Sequence, residues 1–388
     1  MNLKLLFVLH AADRTGAPMM LLHFIRWLKA NTDTDVALLF KEGGALLEHF
    51  EALGPVYIWR PGIISPDLSI RFRNALRKRI GQNKLYLSYP RTLARCRFDA
   101  VYLNTADCMS FAPMLKRLYN CRTFAHIHEL HYSLQAYFPG AFALEYTSAI
   151  SHFIAASSSV KESLATRQGI PVDMMTVFNE MISVSELSKP ELPMAAVKKE
   201  LGIGGHFTVG AAGRAGWRKG TDWFIQVAAN VIKQLPANRI KFVWVGYQSA
   251  EEHAQAVYEI EKLGLEESVI FTGLKDSPQD YYQLFDLFLL SSREDPFPLA
   301  ALEAAALGKP LFCFENTGGI PEIVNVSNGF KCRYGDIEAM SRAVIMAESD
   351  REQTRRQGEN SAALARMFDV NCIAPKLYNF IRGKCATS

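Results

Sequence analysis

No run of 18 or more apolar residues occurs in the 388-residue chain, so no membrane-spanning helix is expected. There is no Cys-x-x-Cys. The seven cysteines (Cys96, Cys108, Cys121, Cys313, Cys332, Cys372 and Cys385) are odd in number and widely spaced. That pattern argues against a zinc site or a disulfide framework and for free thiols in a reducing, cytoplasmic compartment. The loop after the first apolar run has one glycine, Gly16, where a dinucleotide fingerprint needs three, which counts against a nicotinamide or flavin oxidoreductase. A Walker loop is missing as well, and so are internal repeats and low-complexity tracts. Met1-Asn2-Leu3-Lys4-Leu5-Leu6-Phe7-Val8-Leu9-His10 turns polar too soon for a signal peptide and reads as a buried first strand. With 49% apolar and 21% charged residues, the chain is long enough for two globular domains.

Acidic residues are missing where basic ones crowd. Net charge is +4, yet residues 1–182 hold 20 Lys/Arg against 14 Asp/Glu. Between Arg71 and Arg97 there are nine basic residues and no acidic one, interleaved with Ile70, Phe72, Leu76, Ile80 and Leu85. A solvated helix face accounts for such a stretch. Peripheral contact with an anionic membrane, at its inner face, or with a phosphorylated acceptor accounts for it nearly as well. Nucleic acid is the weakest of these readings.

Short apolar runs alternate with helical patterns, the signature of parallel sheets with crossover helices. In the first half the strands fall at 5–9, 36–40, 56–59, 100–104, 123–128 and 153–156; a second series follows at 207–211, 242–245, 269–271, 287–291 and 310–314. The fold class is therefore α/β, with two Rossmann-like domains whose parallel sheets face each other across a cleft. The domains are expected at 1–182 and 200–369, joined by the polar, proline-bearing segment 183–199, with a terminal helix over 370–388.

Three stretches carry chemistry. In Ser291–Pro310 a strand feeds an acidic, proline-held turn and an alanine-rich helix. The open amides of Leu299 and Ala300 would make an anion site there. Asp295 precedes that helix and Glu303 lies about a turn inside it, a placement suited to vicinal hydroxyls, although spacing alone fits ordinary surface acids better. In Val209–Asp222 a glycine-rich loop bears Arg214, Arg218 and Lys219, of which Arg214 and Lys219 can converge on a diphosphate. Thr317-Gly318-Gly319-Ile320-Pro321-Glu322 pairs two glycines, which lets backbone approach a ligand. Asp33-Thr34-Asp35 has the spacing of a metal-binding Asp-x-Asp but falls in a loop at the far edge, where helix capping explains it better.

In this order the stretches resemble the family 4 glycosyltransferases, a retaining group with the GT-B fold, and the resemblance is strongest from Val209 to Gly329. The family's E-x7-E motif is matched by Asp295-x7-Glu303, with Asp where the family usually has Glu; Glu294 lies one residue out of frame and is an alternative sugar contact. The resemblance implies that Asp295 meets the donor sugar, Glu303 the ribose, and Arg214 and Lys219 the diphosphate. It also implies that Leu299, Ala300, Gly318, Gly319, Gly16 and Ala17 lie near the phosphates, and that Thr272 and Gly273 lead into the nucleobase pocket. His128, followed by Glu129, takes the place of a His-Asp pair beside the reacting sugar; a strand-end histidine is otherwise an ordinary structural residue. Val177-Phe178-Asn179-Glu180 departs from the family's Asn-Gly turn. The terminal helix is expected to pack back on the N-terminal domain.

The implied activity is retaining transfer of a hexose from a UDP or GDP sugar to a glycan or lipid-linked acceptor in surface polysaccharide assembly. No cofactor or metal is implied, and no nucleic acid. Domain closure about 183–199 would exclude water. The competing readings are a GT-B epimerase or phosphorylase and a non-catalytic sugar-nucleotide-binding protein.

Overall fold

A computed structural model describes residues 2–59, 91–138, 140–236 and 238–386. Most of the basic segment Arg71–Arg97 therefore lies outside the described residues; of its described part, Arg95 and Arg97 are exposed.

Thirteen strands are described, in two sheets. The first sheet holds β1 (Lys4–Leu9), β2 (Asp35–Phe40), β3 (Val56–Ile58), β4 (Ala100–Asn104), β5 (Arg122–Ile127), β6 (His152–Ala155) and β7 (Met175–Val177), in the order β3-β2-β1-β4-β5-β6-β7. The second holds β8 (Phe207–Ala212), β9 (Ile240–Val245), β10 (Val269–Phe271), β11 (Leu287–Leu290), β12 (Leu311–Phe314) and β13 (Gly329–Cys332), in the order β10-β9-β8-β11-β12-β13. In each sheet the order reverses beside its first strand, between β1 and β4 and between β8 and β11. Open α/β sheets place their ligand crevices at such switch points.

The apolar runs form these strands because both faces of a parallel sheet are covered. Five of the six residues of β1 are buried, as are all six of β9. β7 and β13 were not among the expected strands. β7 has three residues, and β13 (Gly-Phe-Lys-Cys) has one fully apolar large side chain, so neither presents a run to read. Local chemistry sets the helix ends. Ser249 and Glu252 form a reciprocal capping box ahead of the helix Ala250–Leu263, and Gly264 closes it in the left-handed region at φ 65°.

By contact the chain divides into two compact units: Met1–Ile127 with Gly140–Ile154 and Tyr378–Ser388, and His128–Pro139 with Ala155–Leu377. Within the first unit, the end of the terminal helix Val370–Ala386 sets Tyr378 against Trp27, with ring centroids 6.2 Å apart, and Phe380 against His152 at 5.1 Å. Asp35 opens β2 and pairs with Lys4 at 3.6 Å, at the amino ends of the strands. Segment 183–199, expected as a linker, lies inside the second unit. It carries the helix Val184–Leu187 and most of the helix Met194–Leu201, buries Leu187 and Val197, and donates the Glu191 and Leu192 amides to the Asp280 carboxylate at 3.0 Å each. All seven cysteines are free of disulfides, and no described helix is long and apolar enough to cross a membrane.

The second core is an aromatic cluster in which Phe224 is fully buried, edge-on to Phe242 and Trp244 at 5.6 and 5.3 Å. Phe224→Ala is expected to cost about 3–5 kcal/mol. Denaturant titration should show a lower midpoint with an unchanged slope.

Candidate functional site

At the carboxyl ends of β8 and β11 two loops are locked together. The loop after β8 passes through glycines at 213, 216 and 220, with φ of 127°, 141° and 68°. A Cβ at Gly220 would stand 1.9 Å from the carbonyl oxygen of Ser291, so only glycine lets the loops approach this closely. The result is an ion pair between Lys219 Nζ and Asp295 Oδ2, with both side chains nearly buried. Ser292 Oγ donates to the same Oδ2 at 3.3 Å, and Arg218 Nη1 lies 3.9 Å from Oδ1.

Neighbouring residues hold this pair in place. Arg293 forms a two-pronged salt bridge to Asp222 at 2.7 and 2.6 Å and stacks its guanidinium over Trp217 and Trp223, 4.9 and 4.1 Å from their centroids. Arg218 donates to the Glu294 carbonyl at 2.8 Å. Burial pulls the Lys219 pKa below its ordinary value. The Asp295 carboxylate opposes that shift, and the neighbouring Arg218 charge adds to it. A cation held under this tension gains from any further anion that enters beside it.

Gly318 and Gly319 serve the protein's own packing. A Cβ on Gly318 would stand 1.8 Å from the Asp295 carbonyl oxygen, and one on Gly319 would stand 2.1 Å from the Phe297 ring. The Gly319 amide is already donated to the Pro296 carbonyl at 2.9 Å, and Asp295 forms a lone bridge with Gly318. The glycine turn thus props up the acidic loop. Next to it the helix Leu299–Ala306 begins after Pro298, with no acid in its first turn, so the Leu299 and Ala300 amides have no carbonyl of their own helix to bond. Glu303 lies on this helix, where burial pushes its carboxyl from 4.5 up to about 7.

Other expected residues are placed separately. Arg214 is exposed and sits over the Tyr247 ring at 5.6 Å. Thr272 and Gly273 follow β10. The Gly273 carbonyl accepts the Gly246 amide at 3.1 Å, and Gly246 packs on Gly213, so the nucleobase candidates share the carboxyl edge with the β8 loop. Glu294 is engaged elsewhere, accepting the Tyr132 and Ser133 amides at 2.8 and 3.1 Å. Glu322 likewise accepts the Ser158 and Ser159 amides, at 3.2 and 2.7 Å. In the first unit Gly16 is exposed and opens the helix Gly16–Asn31, and the Ala17 carbonyl accepts from Asn104 Nδ2 at 3.0 Å.

His128 pairs through Nδ1 with Glu180 Oε1 at 2.5 Å, a contact the sequence reading missed. Burial disfavours the charged imidazole, but the Glu180 carboxylate, its hydrogen bond and the Glu129 charge outweigh burial and raise the His128 pKa. The available signal was the acid at position 180, where the resemblance expects glycine. Among the described residues no cluster of three His, Cys, Asp or Glu is placed to hold a metal ion.

Because the Glu303 carboxyl is raised from 4.5 to about 7, the folded chain binds more protons than the unfolded chain between those values. Its contribution to stability is therefore lost as pH rises through that window. Glu303→Gln, which cannot ionise, should raise the melting temperature over wild type at pH 8 and change it little at pH 5. Equal shifts at both pH values would contradict this.

Residues 195–363 match the model of the family described as glycosyl transferases group 1. The chain is 30% identical over 138 residues to N-acetyl-alpha-D-glucosaminyl L-malate synthase of Bacillus anthracis, covering 35% of each chain. It is 25% identical over 232 residues to alpha-galactosylglucosyldiacylglycerol synthase of Streptococcus pneumoniae, covering 55% of this chain and 59% of that one. These matches thus span between a third and three fifths of the relatives' lengths. Among solved structures, Anabaena HepE in complex with UDP and glucose superimposes with a TM-score of 0.80 at 20% identity, covering 98% of this chain and all of that one, a likeness of fold. Over residues 195–363 the chain is similar to the group 1 glycosyl transferases, and its two Rossmann-like sheets carry the GT-B fold.

Proposed function

We propose that the protein is a metal-independent retaining glycosyltransferase. It moves a hexose from a UDP or GDP sugar to a glycan or lipid-linked acceptor, in surface polysaccharide assembly. The observation that carries this reading is the buried Lys219–Asp295 pair at the β8/β11 switch point, beside the open Leu299 and Ala300 amides. The match of residues 195–363 to the group 1 glycosyl transferase model supports it. So do the relatives: HepE was solved with UDP and glucose, and the pneumococcal relative is named as the synthase of a glycosylated diacylglycerol.

On this reading the donor diphosphate lies between Lys219 Nζ and the Leu299–Ala300 amides. As the bond to the sugar breaks, negative charge builds on the leaving diphosphate, and these donors stabilise it in a site already shielded from water. Exposed Arg214 supplies a further cation from the rim. Asp295 Oδ2 keeps Lys219 in place, while Oδ1, 3.9 Å from Arg218 Nη1, is the oxygen left for a sugar hydroxyl. Glu303, once ionised, accepts from the ribose hydroxyls. His128 orients the sugar. The acceptor hydroxyl attacks from the face the diphosphate leaves and passes its proton to a departing phosphate oxygen, so the configuration is retained. The basic segment Arg71–Arg97 would hold the protein against an anionic membrane surface that presents a lipid-linked acceptor.

A thermal-shift panel of UDP, GDP and ADP with wild type and Glu303→Ala tests the donor site. One nucleotide should raise the wild-type melting temperature by mass action, and Glu303→Ala should abolish that rise. No shift with any of them would overturn the donor assignment. Lys219→Met should lower kcat roughly 100-fold or more with the fold retained. Nucleotide binding without turnover in the wild type would make the protein a non-catalytic sugar-nucleotide binder instead.

A further inference from the structure

The loops after β5 and β7 bring His128 and Glu180 together as a nearly buried pair, with side chains 6% and 5% exposed. One carboxylate oxygen, Oε1, is taken by the imidazole. The other, Oε2, is buried and has no hydrogen-bond partner among the described residues. A carboxylate oxygen removed from water with nothing to accept is costly, and such sites persist where a ligand completes them.

The backbone around Glu180 keeps the oxygen where it is. The Phe178 amide donates to the Ala155 carbonyl at 3.0 Å, and Asn179 Nδ2 donates to the Ala156 carbonyl at 3.0 Å. On the other side Met181 and Ile182 are buried, and the Ile182 amide donates to the Phe368 carbonyl at 3.0 Å. Pinned at both ends, the turn holds the Glu180 carboxylate in place beside His128. The carboxylate also serves the histidine: with Nδ1 held by Oε1, the ring plane is fixed and Nε2 points in one direction only.

We propose that Glu180 Oε2 accepts a hydrogen bond from a hydroxyl of the donor sugar, while Oε1 holds His128 in register for the same sugar. Glu180 is then a sugar-binding residue and the positioning residue of His128. The assignment rests on the glycosyltransferase reading above and extends it to a residue outside the family motifs. The chemistry on the protein side is acceptor-only, so the partner is a hydroxyl hydrogen and not a phosphate.

Calorimetric titration of UDP, GDP, UDP-glucose and GDP-mannose into wild type and Glu180→Gln tests this. The nucleoside diphosphate that binds should do so equally in both proteins, because it lacks the sugar. The matching nucleotide sugar should bind the variant roughly ten- to a hundredfold more weakly. Among monodeoxy versions of that sugar nucleotide, the one lacking the contacted hydroxyl should bind both proteins alike. Should Glu180→Gln fail to fold, Glu180→Asp keeps the charge, withdraws the oxygen by about one methylene and is read the same way. Undiminished nucleotide-sugar affinity in the variant would overturn the assignment. So would an equal loss for the free diphosphate, or a loss that persists with every monodeoxy sugar. Failure of wild type to bind any of the four ligands would instead overturn the glycosyltransferase reading itself, and this assignment with it.

Discussion

A lysine ammonium that leaves water needs an anion within reach, and in the second sheet that anion is the carboxylate of Asp295. Much of the surrounding architecture serves this one contact. Gly220 has no side chain because Ser291 lies against it, and Gly318 and Gly319 have none because the chain from Asp295 to Phe297 lies against them. The paired glycines thus support the acidic loop from behind. Arg293, stacked between Trp217 and Trp223 and tied to Asp222, fixes the loop from the other side. A preorganised cation of this kind has its cost met during folding, so on the proposed function no reorganisation is needed when the donor diphosphate arrives.

The acids around that pair divide by environment. Glu294 and Glu322 are spent on the backbone amides at the starts of two helices, His131–Tyr137 and Ser158–Gln168. Such carboxylates complement orphan amides and are stabilised by them. Glu303 has no such partner among the described residues, and burial alone raises its pKa. An acid kept near neutrality by its surroundings, with acceptor capacity in hand, is the kind of group that functional sites collect. Glu180 is a third case, half satisfied by His128.

The sheets were legible because fully covered parallel strands leave apolar runs, and Leu5–Leu9 and Phe242–Val245 are such runs. The helix Arg351–Ala365 left no comparable trace. Its buried face is Thr354, Gly358, Ser361 and Ala365, so it packs through small residues and hydrogen bonds, Ser361 Oγ to the Asn328 carbonyl at 2.7 Å among them. A Cβ on Gly358 would stand 2.0 Å from the Gly308 carbonyl oxygen, a close approach that no hydrophobicity pattern reports. In the site, the Asp295 and Glu303 frame and Lys219 were marked by the family resemblance, because spacing alone fits ordinary surface acids better. That Lys219 meets Asp295 while Arg214 turns to Tyr247 depends on side-chain direction, which spacing does not encode. The His128–Glu180 pair joins residues 52 positions apart, with only an unexpected acid to mark it.

The central claim is that the Lys219–Asp295 pair and the Leu299–Ala300 amides form one anion site for a nucleoside diphosphate. A crystal structure of the protein soaked with the nucleoside diphosphate that stabilises it most tests this directly. The account predicts phosphate oxygens within hydrogen-bond distance of Lys219 Nζ and of the Leu299 and Ala300 amides, with the ribose against Glu303. A diphosphate bound elsewhere, with the Lys219–Asp295 pair untouched, would contradict it.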